Sequence, residues 1–429
     1  MSVIVEAKVL QRSVFFTGET VQCQVSLTYP TLSATEPYSK GGLPTPSTNI
    51  LERVEHNHVA LEKDEINVAW ASAQIYCQCH INESRVLSLN NIKDHHQLPS
   101  EMITSFVPTS GETGHCFLAT KPVILLCNLR LQRGQTKTFT YTEDIPPSAP
   151  PSYRGQAVRF SYKVTIGVGS INGPTKLIRL PIRVISTEGL LVDMKKSADT
   201  RESRNPFLED LSEIEHSLSD LVVDRLTFLT SQRNNNVYNI SCRQGSAGKF
   251  SLSKLYYRIG EDLQGSFDFT DATVRCLMYK VSLQSEEEVL EKFRKPGSKQ
   301  KTVHTTYSRY EECCLNCRQT SFCLPIPITA TPEFTSKVVS VRWRLHCEVT
   351  TSCQNDSGSG ESTEIGKTPN RTELDKIITN GPKTGVLHKI PKDVKVETMT
   401  WDIPVRVVPS SPILISLLSS NPLFVNDVL

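Results

Sequence analysis

The residues of this 429-residue chain best equipped for chemistry are four neighbouring cysteines, Cys313, Cys314, Cys317 and Cys323. Cys314 and Cys317 have the spacing of a zinc knuckle, but a tetrahedral zinc site needs a second ligand pair, and none follows at the usual distance. His95 and His96 stand beside Asp94 in a polar stretch, again without a second pair. The sequence contains no Gly-x-Ser-x-Gly elbow, Walker loop, dinucleotide-binding glycine fingerprint or His-Glu-x-x-His motif, and no carboxylates spaced to identify an acid and a base. Neither catalysis by side chains nor a metal or cofactor is expected.

Two short strings match peptide ligands of other proteins. Pro150-Pro151-Ser152-Tyr153 has the pattern that WW domains bind, but such a ligand must be an exposed polyproline helix, and Tyr153 opens a core strand. Asn205-Pro206-Phe207 matches a second peptide motif, but Phe207 begins an apolar stripe, so packing is the expected role.

The thirteen cysteines are odd in number and irregularly spaced, and the amino-terminal MSVIVEAKVL carries Glu6 and Lys8 within its only apolar run. That run is not expected to act as a signal peptide, so the thiols are expected to be reduced and the four Asn-x-Ser/Thr matches to carry no sugar. Cys77, Cys79, Cys276 and Cys347 fall in strand patterns, where a thiol acts as a small hydrophobe. No run approaches the roughly 18 apolar residues that a membrane span requires. A net charge of +2 gives no reason to expect nucleic acid as a partner. A cytosolic chain with at most peripheral membrane contact is expected.

The elements that hold these residues repeat. From Tyr153 to Gly169 the chain alternates with period two, placing Val158, Phe160, Tyr162, Val164 and Ile166 on one face of a strand. A shift of 181 carries that set onto Val339, Val341, Trp343, Leu345 and Cys347. The Gly18-Glu19 turn and the alternation after it recur at Gly260-Glu261, 242 residues on. A shift of 202 carries Ile75, Cys77, Cys79 and Ile81 onto Leu277, Tyr279, Val281 and Leu283, and one of 223 carries Pro181, Ile182 and Val184 onto Pro404, Val405 and Val407. Constant strands with loops of unequal length describe a duplicated all-β unit.

The expected domains are therefore a sandwich over 1–186, a linker over 187–236, a second sandwich over 237–412 and a tail over 413–429. Polar stretches at 31–68 and 88–115 read as loops, the first expected to be mobile or disordered, and 352–392, without a core pattern, is expected to be a disordered loop. Residues 286–306 begin acidic, with Glu286, Glu287 and Glu288, and turn basic at Lys292, Arg294, Lys295, Lys299 and Lys301, a solvated loop with the charge to touch anionic lipid. In the linker, Phe207, Leu211, Ile214, Leu218 and Leu221 recur at steps of four and three opposite carboxylates, an amphipathic helix. Its stripe either packs on the chain's own sandwiches or docks a partner through Leu211, Ile214, Leu218 and Leu221.

Two tandem strand-rich halves, each opening with an aromatic-x-x-Gly-Glu turn and closing on a Leu-Pro-Ile-Arg-Val type strand, resemble the arrestin-like fold of paired β-sandwiches. Within that fold the strings AWASAQIYCQCH, SYRGQAVRFSYKVTIG, SFCLPIPITATPEF, VRWRLHCEV and TWDIPVRVVPSSP look like the Rgp subunits of Ric–Rgp complexes. The resemblance implies a non-enzymatic subunit of a heterodimeric guanine-nucleotide exchange factor. Its implied partners are a large Ric-type subunit containing a β-propeller and a Golgi Rab GTPase of the Rab-six type, GDP-bound or nucleotide-free. The implied setting is endosome-to-trans-Golgi retrograde transport, with recruitment from the cytosol to the membrane periphery. Within the same fold, an α-arrestin-like ubiquitin-ligase adaptor and a retromer-type cargo scaffold are the alternatives.

Overall fold

The computed structural model describes residues 3–31, 65–87, 113–170, 175–187, 190, 218–231, 236–297, 300–315, 317–352, 396–418 and 424–428. The first half supplies ten strands: β1 (Ile4–Val9), β2 (Val14–Phe16), β3 (Thr20–Thr28), β4 (Glu65–Ile81), β5 (His115–Ala119), β6 (Val123–Gln132), β7 (Thr136–Asp144), β8 (Tyr153–Arg154), β9 (Val158–Ser170) and β10 (Lys176–Ile185). A helix over Leu218–Ser231 follows. The second half runs through β11 (Asn236–Cys242), β12 (Gly245–Leu252), β13 (Tyr256–Arg258), β14 (Asp262–Asp268), β15 (Cys276–Val289), β16 (Thr302–Cys313), β17 (Gln319–Pro325), β18 (Phe334–Thr335), β19 (Val339–Ser352) and β20 (Val396–Val408). A short helix, Pro412–Leu418, and β21 (Phe424–Val428) complete it.

These strands make four sheets in two facing pairs. The first pair is β21-β1-β3-β7 against β2-β10-β9-β4-β5, with β6 on β4 and β8 on β9; the second is β11-β12-β14-β17 against β13-β20-β19-β15-β16, with β18 on β19. Alternation explains the facing: Val21, Cys23, Val25 and Leu27 of β3 are buried and the residues between them face out. Two cores result, and neither stops at its own half. Val289, Phe293, Phe334 and Val339 join the first, while Val14, Phe16 and Ile185 join the second.

The duplication extends to individual hydrogen bonds. The Gly18 amide donates to the Ile145 carbonyl at 2.8 Å, and the Gly260 amide to Ile326 at 2.9 Å. Both glycines take positive φ, 88° and 83°, which the turn requires and a Cβ would strain. Glu19 caps the Phe16 amide at 2.7 Å and pairs with Arg12, as Glu261 caps the Arg258 amide at 2.8 Å and pairs with Lys254. Tyr162 donates its hydroxyl to the Pro150 carbonyl at 2.6 Å; 181 residues on, the Trp343 indole donates to Thr331 at 3.2 Å. Buried polar handles on large aromatics need such partners, so the copies retain the bond although the ring has changed.

One offset differs from the sequence reading. β4 pairs with β9 so that Ile75 faces Val164, and β15 pairs with β19 so that Leu283 faces Leu345. Since 164 maps onto 345 by 181, the equivalent of Ile75 is Leu283, a shift of 208 rather than 202. Period-two alternation is unchanged by any even slip, and only the neighbouring strand fixes the register.

Other boundaries differ too. Residues 65–68, read as the end of a loop, begin β4. Within the charged stretch 286–306, β15 runs to Val289, a 3-10 turn covers Glu291–Phe293, and β16 begins at Thr302. Residues 413–429, read as a tail, contain most of the short helix and all of β21, which pairs antiparallel with β1, Ala7 opposite Val425. The tail thus returns to the first sandwich and occupies the edge that β11 occupies in the second.

Candidate partner-contact surface and the junction beneath it

The linker helix packs where the sandwiches meet. Val222 and Leu226 are fully buried, and Thr230 shares their face at the same four-residue step. Val222 and Leu226 join the second core, with Leu218 and Leu229 packed against it half-buried. Arg258 fastens the helix by donating to Thr230 Oγ1 at 3.0 Å and Thr227 Oγ1 at 2.9 Å. Leu218 also borders the first sandwich, because a Cβ at Gly18 would lie 3.0 Å from its Cδ2.

Of the four residues proposed for partner docking, Leu218 therefore rests on the chain's own sandwiches and Leu221 is half-buried beside the packed stripe. Leu211 and Ile214 lie outside the described residues, as does Phe207. The stripe that faces inward is Leu218, Val222, Leu226, Leu229. The sequence pattern shares Leu218 with this stripe but continues to Leu221, one residue before the buried Val222, and Thr230 gives no apolar signal for the last turn.

The cysteines do not converge. Cys313, Cys317 and Cys323 are exposed, whereas Cys314 is buried with its Sγ 3.1 Å from that of Cys276. Among the described residues no three His, Cys, Asp or Glu side chains gather to hold a metal ion. His95 and His96 lie outside those residues. Cys77, Cys79, Cys276 and Cys347 are buried, and burial raises the thiols of Cys77, Cys79 and Cys347, that of Cys79 to about 12. They are filler, not nucleophiles.

The Pro-Pro-x-Tyr string is not available to a WW domain. Pro150 and Pro151 are buried, the Ser152 amide is bonded to the Val184 carbonyl at 2.7 Å, and the Tyr153 ring lies against Phe334 at 5.1 Å. Those two rings are equivalent under the shift of 181, so the copies meet at the same residue.

Around that contact the basic insertion is also structural. The Leu87 amide donates to Phe293 at 2.9 Å, the Lys295 amide to Arg85 at 3.0 Å, and Lys295 Nζ to the Glu83 carbonyl at 2.8 Å. Arg183 crosses the other way, donating to the carbonyls of Ile328 at 3.1 Å and Ala330 at 2.9 Å. Lys301 pairs with Glu288 at 2.9 Å. Lys292 is exposed, and Lys299 lies outside the described residues. An open cavity of about 490 Å³ beside this junction is lined by both charges, including Glu288, Glu291, Arg294 and Arg342, and so favours neither sign of ligand.

A surface that sequence reading missed is the short C-terminal helix. Pro412 and Ile415 are buried, but Ile413, Leu414, Leu417 and Leu418 are exposed, Leu417 by 79%. The apolar run Pro412–Leu418 is visible in the sequence, but it is far shorter than a membrane span and period counting alone does not show which of its residues stay exposed.

Comparison with known proteins gives a consistent result over most of the chain. A family model described as Rgp1 matches residues 100–189 and 188–352. The chain is 35% identical over 423 residues to RAB6A-GEF complex partner protein 2 of Homo sapiens, covering 97% of each protein. It is 35% identical over 407 residues to the protein of the same name in Bos taurus, covering 94% of this chain and 93% of the relative.

Proposed function

Because the chain belongs to the Rgp1 family, we propose that it is a non-enzymatic subunit of a guanine-nucleotide exchange complex for a Golgi Rab GTPase of the Rab-six type. The observation that carries this reading is the 35% identity to a relative named for a RAB6A exchange complex, which runs through both sandwiches and the linker. In this reading the partner is a large Ric-type subunit containing a β-propeller. The complex works in endosome-to-trans-Golgi retrograde transport, and the chain moves from the cytosol to the membrane periphery.

Exchange of this type needs no nucleophile. A complex that binds the nucleotide-free GTPase more tightly than the GDP-bound form accelerates GDP release through differential affinity alone. What this subunit has to supply is shape, and the paired sandwiches with their shared cores provide it. The arrestin-like resemblance belongs to the same reading, in which the sandwich surfaces hold the large subunit and help present it to the GTPase. An adaptor that engages WW domains is disfavoured by the burial of Tyr153.

The experiment is a GDP-release assay with the GTPase and this chain, the large subunit, or both. Acceleration should require the pair. Full activity from this chain alone, or no loss when it is omitted, would rule out the subunit assignment.

A further inference from the structure

Glu287 is buried to 2% exposure on β15, on the inward-facing parity set of Leu283, Ser285 and Val289. Its carboxylate leaves its own sandwich and enters the turn between β8 and β9 of the other. Oε2 accepts the Gln156 amide at 2.8 Å and the Ala157 amide at 3.2 Å, and Oε1 accepts the amides of Ala157 and Val158 at 3.2 Å each. The Tyr153 hydroxyl also bonds to it, and burial together with that carboxylate pushes the phenol well above its ordinary range. Three successive backbone N–H groups around one carboxylate form an anion nest, a strong arrangement inside a protein because each bond is charge-assisted.

The second copy shows what this turn does without such a guest. There Gly155 is replaced by Ser336, whose own Oγ accepts the amides of Val338 at 3.3 Å and Val339 at 3.0 Å. The backbone closure is otherwise the same: Gly155 N to Val158 O at 2.9 Å, and Ser336 N to Val339 O at 2.8 Å. In the first copy a glycine leaves the amides uncapped, and a Cβ there would overlap Glu287 Oε1 and the Tyr153 ring. By strand register the counterpart of Glu287 is Cys79, which brings no carboxylate. One copy caps its turn locally, and the other has given up the local cap for a residue from across the junction.

We propose that Glu287 in the amide nest beside Gly155 is the lock that fixes the angle between the two sandwiches. It adjoins the backbone pairing of Arg85 and Leu87 with Phe293 and Lys295, because the Asn82 amide, at the start of that segment, donates to the Ala157 carbonyl of the same turn at 2.8 Å. Because the acceptor and the donors lie on different sandwiches, the bond can form only at one relative orientation. A local cap such as Ser336 imposes no such condition.

The test is amide hydrogen exchange on the full chain, read at Leu87 and Lys295, with the β3 and β14 amides as internal references. Glu287→Ala and Gly155→Ala break the same contact from opposite sides. Each should speed exchange at Leu87 and Lys295 by about tenfold or more, since charge-assisted bonds are lost. Exchange within β3 and β14 should stay as in the parent. Both changes together should do no more than either alone. Glu287→Gln preserves volume and one acceptor oxygen, so it should remain folded and show a smaller change at the same two amides. Unchanged exchange at Leu87 and Lys295 in Glu287→Gln and in either alanine variant would overturn the proposal. So would additive effects, or loss of protection spread evenly through both sandwiches.

Discussion

At the scale of single residues the thiols give the clearest forecast. Cys127, Cys313, Cys317 and Cys323 are exposed, while Cys23 is buried and raised to about 12 by desolvation, countered only in part by a backbone bond. Alkylation of the native protein at neutral pH, followed by peptide mass analysis, should modify the exposed set and leave Cys23, Cys77, Cys79 and Cys347 unmodified until denaturant is added. Acid should act elsewhere. Glu312 accepts hydroxyl bonds from Thr320 at 2.5 Å and Tyr279 at 2.6 Å, and these hold its carboxyl below the ordinary range. A depressed carboxyl stabilises the fold above its unfolded value, near 4.5, and loses that contribution as pH falls through the folded value. Thr320→Val should therefore flatten the fall in stability below about pH 4.5, measured by urea denaturation across pH. Residue-level reading from sequence foresaw the buried cysteines because alternation marks them. It could not foresee Glu287, since a Glu in a charged run reads as solvated and only the opposite turn explains its burial.

At the scale of elements, strands were legible and registers were not. The alternation of β3 and β9 follows directly from residue type, but the slip between shifts of 202 and 208 for β15 is invisible to period-two counting. The linker helix shows the same division: over the described residues 218–231 its existence and amphipathy are readable, and its inward stripe is readable at Leu218 but not at Val222 and Leu226. Two predictions separate its roles. Leu226→Ala removes a fully buried side chain from the second core and should cost about 2–5 kcal/mol of unfolding free energy, seen as a lower urea midpoint. Leu221→Asp lies off that stripe and should leave the midpoint nearly unchanged. If the helix also docks the large subunit, Leu221→Asp will weaken co-purification of the pair; assembly at parental yield would remove this residue from the interface.

At the scale of the whole molecule, the copies are joined crosswise. The helix after β10 packs on β13 of the second copy and leads into its edge strand β11; the helix after β20 packs on β2 of the first and leads into its edge strand β21. Strands β2 and β13 are themselves equivalent, each parallel to the last strand of its sandwich, Phe15 opposite Val184 and Tyr257 opposite Val407. Each copy thus finishes the other, a relation that no pairwise comparison of the repeats within the sequence could reveal, because the two linking segments differ in length and composition. The consequence is that the last segment should stabilise the first sandwich, far from it in the chain. Ending the protein at Ser411 removes Ile415 from the core formed with Val14 and Phe16 and strips β1 of the strand that satisfies one edge. Loss of the buried isoleucine alone predicts about 2–5 kcal/mol, and the unpaired edge adds a site for self-association. In the truncated chain, hydrogen exchange should accelerate most at β1, which loses its edge partner, and at β2, whose Val14 and Phe16 lose Ile415, with a smaller change at β12 and β14, which share that core. Light scattering should rise with concentration. Equal loss of protection in both sandwiches would mean that the segment acts on the molecule as a whole, and unchanged protection at β1 would mean that the crosswise strand contributes nothing.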